Sequence, residues 1–270
     1  MRRFFVSLIL LLFPILLISQ NAQKKFISLS PSITEIFFEI GAQDSLVGVI
    51  FPNNYPKEAS KKEVVASYGV VDYDRIFALK PDECLTIEGM QSNEELKRIR
   101  KLNIAVVEYK MENIDDLCAV IKDIGIKTQK EKSAEEKLLK LEKELEEISK
   151  DIVKTKGILV VGLDPTVVVG KGSFLNDVLK KCGVENVFEN NSPSYFSPSF
   201  EMMIEKKPEL LIFPKGEINE NKIEELAEKM KKFVPPLKII QIDADLIMRP
   251  SLRILEGMKQ LKLQTKKDKN

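Results

Sequence analysis

Two segments of the sequence carry a carboxylate in the same setting. In YDRIFALKPDECLTI, which begins at Tyr73, Asp74 stands seven residues before Pro81; in SFEMMIEKKPELLIF, Glu201 stands seven residues before Pro208. Each proline follows a lysine and precedes an acid and a short apolar run. Because a helix ends before such a proline and a strand follows it, the repeat predicts equivalent places in two α/β lobes. An acid in the first turn of a helix complements the positive end of the helix dipole.

The residue types needed for metal binding or catalysis are largely missing. Histidine is absent, which removes the commonest transition-metal ligand and the commonest general base. The odd cysteine count cannot pair fully, and the cysteines have no metal-ligand spacing; Cys84 and Cys118 lie in apolar patterns that predict buried thiols. We therefore expect no catalytic residues, no metal site and no cofactor, although a Ser–Lys hydrolase stays open.

Nucleotide-binding motifs are also absent. The segment VVVGKGSF resembles a phosphate loop, but Pro165 stands where the motif needs glycine and Gly172 where it needs a hydroxyl residue. No G-x-G-x-x-G fingerprint follows a predicted strand. The net charge is +1 with lysine and glutamate interspersed, so the chain has no basic field for nucleic acid.

Five residues at predicted strand-to-helix junctions form a candidate binding site: Tyr55, Tyr68, Tyr195, Asp245 and Arg249. In open α/β sheets, the loops at the carboxyl ends of the strands form the ligand crevice. Tyrosines offer flat amphipathic contact, and the two charged residues offer polar anchors. The alternative is that the tyrosines are ordinary loop residues and that Asp245 and Arg249, four residues apart, form a local ion pair.

Residues 1–22 have the pattern of a secretory signal peptide. Two arginines precede an apolar run from Phe4 to Ile18 that contains a proline, and small and polar residues follow it. The run is short for a membrane span, which needs about 20 residues, but an uncleaved anchor is the alternative. No cysteine follows the run, so we expect a soluble periplasmic protein without a lipid anchor.

The remaining chain alternates short apolar runs with amphipathic helical patterns, which is typical of an α/β fold with parallel sheets. Predicted capping boxes mark helix starts at Ser32 with Glu35 and at Ser92 with Glu95. We expect two Rossmann-like lobes, an N-terminal lobe over residues 24–130 and a C-terminal lobe over residues 156–267, joined by one helix.

The joining helix is predicted over residues 131–155 from an apolar spacing of 4-3-4-3-4. Ser133 with Glu136 would cap its start, and a helix of about 22 residues would be about 33 Å long. The same pattern could form a coiled coil that dimerises the chain. We favour a helix packed along its own protein, in a monomer. The apolar residues that define the spacing are Ala134, Leu138, Leu141, Leu145, Ile148 and Ile152.

The chain from SLSPSITEI through LVGVI, YDRIFALKPD and GKGSF to RPSLRI resembles the periplasmic substrate-binding proteins of ABC importers. It is most similar to the subfamily with a single rigid helical connector, which serves cobalamin, ferric siderophores and haem, and within it to the cobalamin-binding members. The resemblance implies a non-enzymatic receptor that captures cobalamin between two lobes and delivers it to a permease and its ATPase.

The resemblance also implies roles for named residues. Tyr55, Tyr68, Tyr195, Asp245 and Arg249 match the positions that line the ligand cleft of the cobalamin-binding members. Asp74 and Glu201 match the acid on each lobe that docks onto arginines of the permease. The sequence departs from the pattern because it has no tryptophan, the loop LDPTVVVG has no aromatic residue, and Lys262 stands where a disulfide partner of Cys182 would be.

Three other functions stay open. A ferric siderophore would call for more cleft cations than the one arginine placed here, and haem would need an axial ligand, for which Tyr68 is the candidate. An extracytoplasmic enzyme or sensor domain could use the same fold, because fold alone does not fix function.

Overall fold

The computed structural model describes residues 23–67 and 69–266 of the 270-residue chain. The predicted signal peptide, residues 1–22, and Tyr68 lie outside the described residues. Within these two ranges, none of the helices combines the length and the apolar character that a membrane crossing requires.

The N-terminal lobe is a six-stranded sheet with the order β4-β3-β2-β1-β5-β6 and helices packed against it. Its strands are parallel except for the pair β3 and β4, which is antiparallel. The elements in chain order are β1 (Phe26–Ser28), α1 (Pro31–Glu39), β2 (Leu46–Ile50), β3 (Val64–Ser67), β4 (Val70–Val71), α2 (Tyr73–Leu79), β5 (Glu83–Ile87), α3 (Asn93–Lys101), β6 (Ala105–Tyr109), α4 (Ile114–Lys127) and the connecting helix α5 (Glu131–Ser149).

The C-terminal lobe repeats this plan with the strand order β10-β8-β7-β11-β12, and β9 pairs with β7. Its central pairs are parallel, but β8 runs antiparallel to both neighbours. The elements are β7 (Thr155–Leu163), β8 (Thr166–Val169), α6 (Phe174–Lys181), β9 (Val184–Asn186), β10 (Tyr195–Phe196), α7 (Phe200–Glu205), β11 (Leu210–Lys215), α8 (Glu220–Lys231), β12 (Lys238–Asp243), α9 (Ala244–Ile247) and α10 (Ile254–Lys266).

The predicted α/β fold with two lobes and one long connecting helix is therefore confirmed. The expectation of wholly parallel sheets was too simple, since the short strands β4, β8 and β10 add antiparallel pairs. These strands have between two and four residues, too few for a hydrophobic pattern to distinguish them from loops.

The connecting helix α5 differs from its prediction at both ends. It begins at Glu131 after the N-cap residue Lys130, without a side-chain cap, so the predicted cap at Ser133 and Glu136 is wrong. It ends at Ser149 and is 19 residues long. Ile152 extends the apolar spacing because its side chain packs against Gly183 of the C-terminal lobe, not because the helix continues.

One hydrophobic core runs through α5 and joins the lobes. Ala134, Leu141 and Ile148 are buried in a cluster that includes Phe26 of the N-terminal sheet and Met258 of α10. The helix packs on α4, α6 and α10 of the same chain, as expected for packing along its own protein. A shared core of this kind resists bending, because packed interiors repack only in discrete steps.

The doubled sequence segment is a structural repeat. Asp74 and Glu201 are each exposed and each the second residue of a helix, α2 and α7. Both lysines that precede the prolines, Lys80 and Lys207, have a backbone φ of 48°. The next strand in each lobe, β5 or β11, lies beside the first strand of that lobe, β1 or β7. The repeat thus marks the same turn in both lobes.

The three cysteines are free thiols. Cys84 and Cys182 are buried, and burial raises the pKa of both thiols to about 12. Cys118 is only half-buried, so the prediction of a buried thiol was wrong for it. Lys262 lines the same small cavity as Cys182, so a lysine stands where the family resemblance places a disulfide partner.

Two leucines of α5 test whether the buried face of the connecting helix stabilises the fold. Leu141 is 1% exposed and Leu139 is 61% exposed. We expect Leu141→Ala to lower the free energy of unfolding by about 2–5 kcal/mol, because it leaves a cavity in the shared core. Leu139→Ala, the control, should change it by less than about 0.5 kcal/mol. Equal losses in urea denaturation would contradict the packing described for this helix.

Candidate ligand-binding cleft

A cavity of about 970 Å³ separates the two lobes. It lies at the carboxyl ends of the sheets, since Ile87 ends β5, Leu163 ends β7 and Ala244 follows β12. This is the position expected for a ligand crevice in open α/β sheets. A volume near the upper end of the usual range for ligand pockets, about 300–1,000 Å³, fits a bulky ligand.

Three of the five predicted binding residues line this cavity: Tyr195, Asp245 and Arg249. Tyr55 lies outside the lining, and its ring is covered by the guanidinium of Arg253, whose Cζ is 3.7 Å from the ring centroid. Tyr68 lies outside the described residues. The structure therefore brings together a tyrosine and two charged side chains of the C-terminal lobe.

Arg249 lies at the centre of a polar cluster that crosses the cleft. Its Nη2 is 2.8 Å from Oδ1 of Asp245, which is the local ion pair weighed as the alternative. Its Nη1 donates to Asn54 Oδ1 at 2.7 Å and to Glu35 Oε1 at 3.1 Å, both in the N-terminal lobe. Asn54 in turn donates from Nδ2 to Asp245 Oδ2 at 3.1 Å. The two predicted anchors thus bind each other and the opposite lobe.

The spacing of Glu35 from Ser32 predicted a capping box, and this prediction was wrong. Helix α1 begins at Pro31 after the N-cap residue Ser30, so Glu35 lies beyond its first turn. Its buried carboxylate instead accepts a hydrogen bond from Ser251 Oγ at 2.7 Å. Burial raises the pKa of Glu35, although hydrogen bonds from Ser251 and Arg249 act in the opposite direction. The other predicted capping box, Ser92 with Glu95, is confirmed.

Carboxylates outnumber cations in the described cavity lining. The lining acids are Glu88, Asp164, Glu217 and Asp245, and the lining cations are Lys222 and Arg249. Lys222 forms an ion pair with Asp164. Glu88 and Glu217 were not predicted, although each follows a strand, β5 or β11, and the rule that selected Asp245 after β12 would have selected them too.

The apolar part of the lining was also missed. It consists of aliphatic and thioether groups from both lobes, with Phe174 as its aromatic member beside Tyr195. Methionines fill irregular spaces and adapt to a ligand surface, but nothing in their sequence spacing marks them as cleft residues. The apolar lining side chains are Ile87, Met90, Met111, Val161, Leu163, Phe174, Leu175, Ile218 and Met248.

Within residues 23–67 and 69–266, no group of three or more Cys, Asp or Glu side chains is arranged to hold a metal ion. The polar side chains of the cavity lining come from both lobes, for example Glu88 and Glu217. Such an arrangement can hydrogen-bond the periphery of a large ligand.

The sequence and the fold match those of a known protein family. The model of the periplasmic binding protein family matches residues 27–233, well over half of the chain. The chain belongs to the periplasmic binding protein family. It is 29% identical over 245 residues to the vitamin B12-binding protein of Salmonella typhi, a match that covers 89% of each chain.

Solved structures of the same fold agree with this family. A possible iron-binding, periplasmic solute-binding protein from Staphylococcus epidermidis superposes with a TM-score of 0.78 and 29% identity, covering 91% of this chain and 99% of that one. The periplasmic vitamin B12-binding protein of Vibrio cholerae gives a TM-score of 0.75 at 21% identity, covering 89% and 96%. The latter similarity shows a shared fold.

Glu39 lies one turn after Glu35 on α1 and allows a test of the interface between the lobes by pH. Its carboxylate accepts from the backbone N–H of Leu252 at 3.2 Å, and burial raises its pKa to about 7 from an ordinary value of 4.5. A raised pKa of this kind stabilises the folded protein below the ordinary value, and this contribution is lost as the pH rises through 7.

We therefore expect the wild-type unfolding free energy to fall by up to about 3 kcal/mol relative to Glu39→Gln between about pH 4.5 and about pH 8. Urea denaturation of both proteins over this range measures the difference. Parallel pH dependences of the two proteins would show that Glu39 does not titrate as its burial requires.

Proposed function

We propose that the protein is a periplasmic receptor that captures cobalamin, or a closely related corrinoid, in the cleft between its lobes. It would then deliver the ligand to the permease and ATPase of an ABC importer. The proposal rests on a large interlobe cavity whose carboxylates outnumber its cations, in a chain similar to vitamin B12-binding proteins. The receptor acts by binding and performs no catalysis.

The charge of the cleft favours cobalamin over the other chelates considered. A corrinoid presents many carboxamide N–H groups. Carboxylates such as Glu88, Glu217 and Asp245 can accept hydrogen bonds from them. Haem carries two propionates, and many ferric siderophores are anionic, so either would meet like charges in this cleft. The metal of a corrinoid arrives already coordinated, which suits a cleft without histidine.

The proposed mechanism needs little movement. The N-terminal lobe, residues 24–130, and the C-terminal lobe, residues 156–267, share one hydrophobic core through α5. A connection of this type lacks the pliant hinge that permits wide domain closure. The ligand would enter a largely preformed site in a monomer and be held by Tyr195, Asp245 and Arg249. Tyr55 and Tyr68 stay predicted ligand contacts. The predicted signal peptide would direct the chain to the periplasm, and its removal would release the monomer there.

The ligand is identified by titration calorimetry of protein without residues 1–22 against cyanocobalamin, haemin and a ferric catecholate siderophore. We expect cyanocobalamin to bind with a Kd below about 1 μM, which corresponds to about −8 kcal/mol, and the two anionic chelates to bind at least about 100-fold more weakly. Tight binding of haemin or the siderophore without binding of cyanocobalamin would overturn the proposal.

We also propose that Asp74 and Glu201 dock the receptor onto the permease. They occupy equivalent, exposed positions, one on each lobe, and each has an exposed apolar side chain nearby in its own helix, Phe77 or Met202. The backbone N–H and Ser199 side chain near Glu201 lower the pKa of its carboxyl, which keeps it charged. Two separated charge contacts would make docking depend on the relative position of the two lobes. They would also steer the encounter of the receptor with a cationic surface.

Charge reversal tests the docking role. Asp74→Lys and Glu201→Lys should each weaken association with the permease by about 10-fold or more, because each replaces an attractive contact by a repulsive one. Their affinity for cyanocobalamin should stay unchanged. Asp115→Lys is the control, since Asp115 is also an exposed acid at the second position of a helix, α4. Wild-type association of both Asp74→Lys and Glu201→Lys would exclude docking.

A further inference from the structure

Glu35 is an almost fully buried carboxylate of the N-terminal lobe that is held by donors from the C-terminal lobe. Its side chain is 1% exposed. It accepts from Ser251 Oγ at 2.7 Å, from Arg249 Nη1 at 3.1 Å and, at the longer distance of 3.5 Å, from Arg253 Nη1. These partners are more than 200 residues away in sequence, so the contacts form only when the two lobes are in place.

One of the two arginines that contact Glu35 lines the cavity, and the other covers a predicted binding residue. Arg249 lines the cavity and forms its second ion pair with Asp245 at 2.8 Å. Arg253 covers the ring of Tyr55. Glu35 itself does not line the cavity. A single buried carboxylate is thus connected to three of the residues that were predicted to bind the ligand, without touching the ligand space.

The burial of this cluster decides what Glu35 can do. A buried ion pair contributes little net stability, because desolvation offsets most of the attraction, but removal of one partner leaves the other without compensation. The side chain of Arg249 is 13% exposed, so it has little water to replace a lost carboxylate. Asn54 Oδ1 accepts from the same Nη1 at 2.7 Å, but Glu35 is the charged partner from the N-terminal lobe. We therefore expect the orientation of Arg249 towards Asp245 to depend on Glu35.

We propose that Glu35 is a positioning residue of the ligand site: it fixes the guanidinium of Arg249 across the interface between the lobes, so that Arg249 and Asp245 present a preformed pair of anchors. This inference rests on the proposed function, since it assigns Arg249 to ligand binding. A preformed pair spares the ligand the entropic cost of ordering a long side chain on binding.

The substitution that tests the proposal is Glu35→Gln, which keeps the size of the side chain but removes the charge. We expect it to raise the Kd for cyanocobalamin by about 10-fold. Glu83→Gln is the matched control. Glu83 is also a nearly buried carboxylate between two cations, Lys24 and Lys127, but all three belong to the N-terminal lobe. The Glu83→Gln variant should bind cyanocobalamin with the same Kd as the wild type.

A double-mutant cycle separates positioning from general loss of structure. If Glu35 acts through Arg249, Glu35→Gln should change the Kd by less than about 3-fold once Arg249→Ala is present. An undiminished 10-fold effect in that background would overturn the proposal. Should Glu35→Gln fail to fold, Ser251→Ala removes one donor to the same carboxylate and should still raise the Kd by about 3-fold; wild-type affinity of that variant would overturn the proposal equally.

Hydrogen–deuterium exchange provides a measurement that needs no ligand. Glu35→Gln should accelerate amide exchange in residues 249–253 relative to both the wild type and Glu83→Gln. Accelerated exchange in a protein that does not bind cyanocobalamin would refute the proposed ligand and support positioning. Wild-type exchange in that segment, in a protein that does bind cyanocobalamin, would refute positioning and leave the proposed function standing.

Discussion

The two lobes are held together by apolar packing and by buried polar contacts. Helix α5 carries a hydrophobic core from the N-terminal sheet to α10. Residues 249–253 of the C-terminal lobe bind Glu35 and Glu39 of α1. The backbone N–H of Ile114 also donates to Asp177 of α6 at 3.0 Å. Because apolar packing and buried polar contacts both connect the lobes, the relative position of the lobes is well defined and the cleft is preformed.

This constraint bears on the proposed ligand site and on the proposed docking carboxylates, Asp74 and Glu201. Asp74 and Glu201 lie on different lobes, so a partner that contacts both senses the distance between the lobes. With the lobes fixed, the two acids would present a constant spacing, and a bound ligand would change the surface mainly at the mouth of the cleft.

Much of the architecture could be predicted from the sequence because its signals are local. The alternation of apolar runs and helices, the prolines after Lys80 and Lys207, and the 4-3-4 spacing of α5 each follow from the geometry of one element. The antiparallel strands β4, β8 and β10 could not be predicted, since two to four residues are too few to show the alternating pattern of a strand.

The site was predictable only in part, for a related physical reason. Asp245 and Arg249 are marked by their place after a strand, but the buried role of Glu35 is set by partners more than 200 residues away. Its spacing from Ser32 favoured a capping box, whereas the tertiary contacts draw its side chain to the other lobe. Local preference predicted the helix correctly and the side chain wrongly, as happens where a residue serves the assembly of two lobes.

The most direct test of the account is a crystal structure of the protein grown with cyanocobalamin. We expect electron density for the corrin ring between the lobes, beside Tyr195, with its amide groups within hydrogen-bonding distance of Asp245 and with Arg249 still paired to Glu35. A cleft that stays empty at saturating cyanocobalamin, or a corrinoid bound on the outer surface of one lobe, would contradict it.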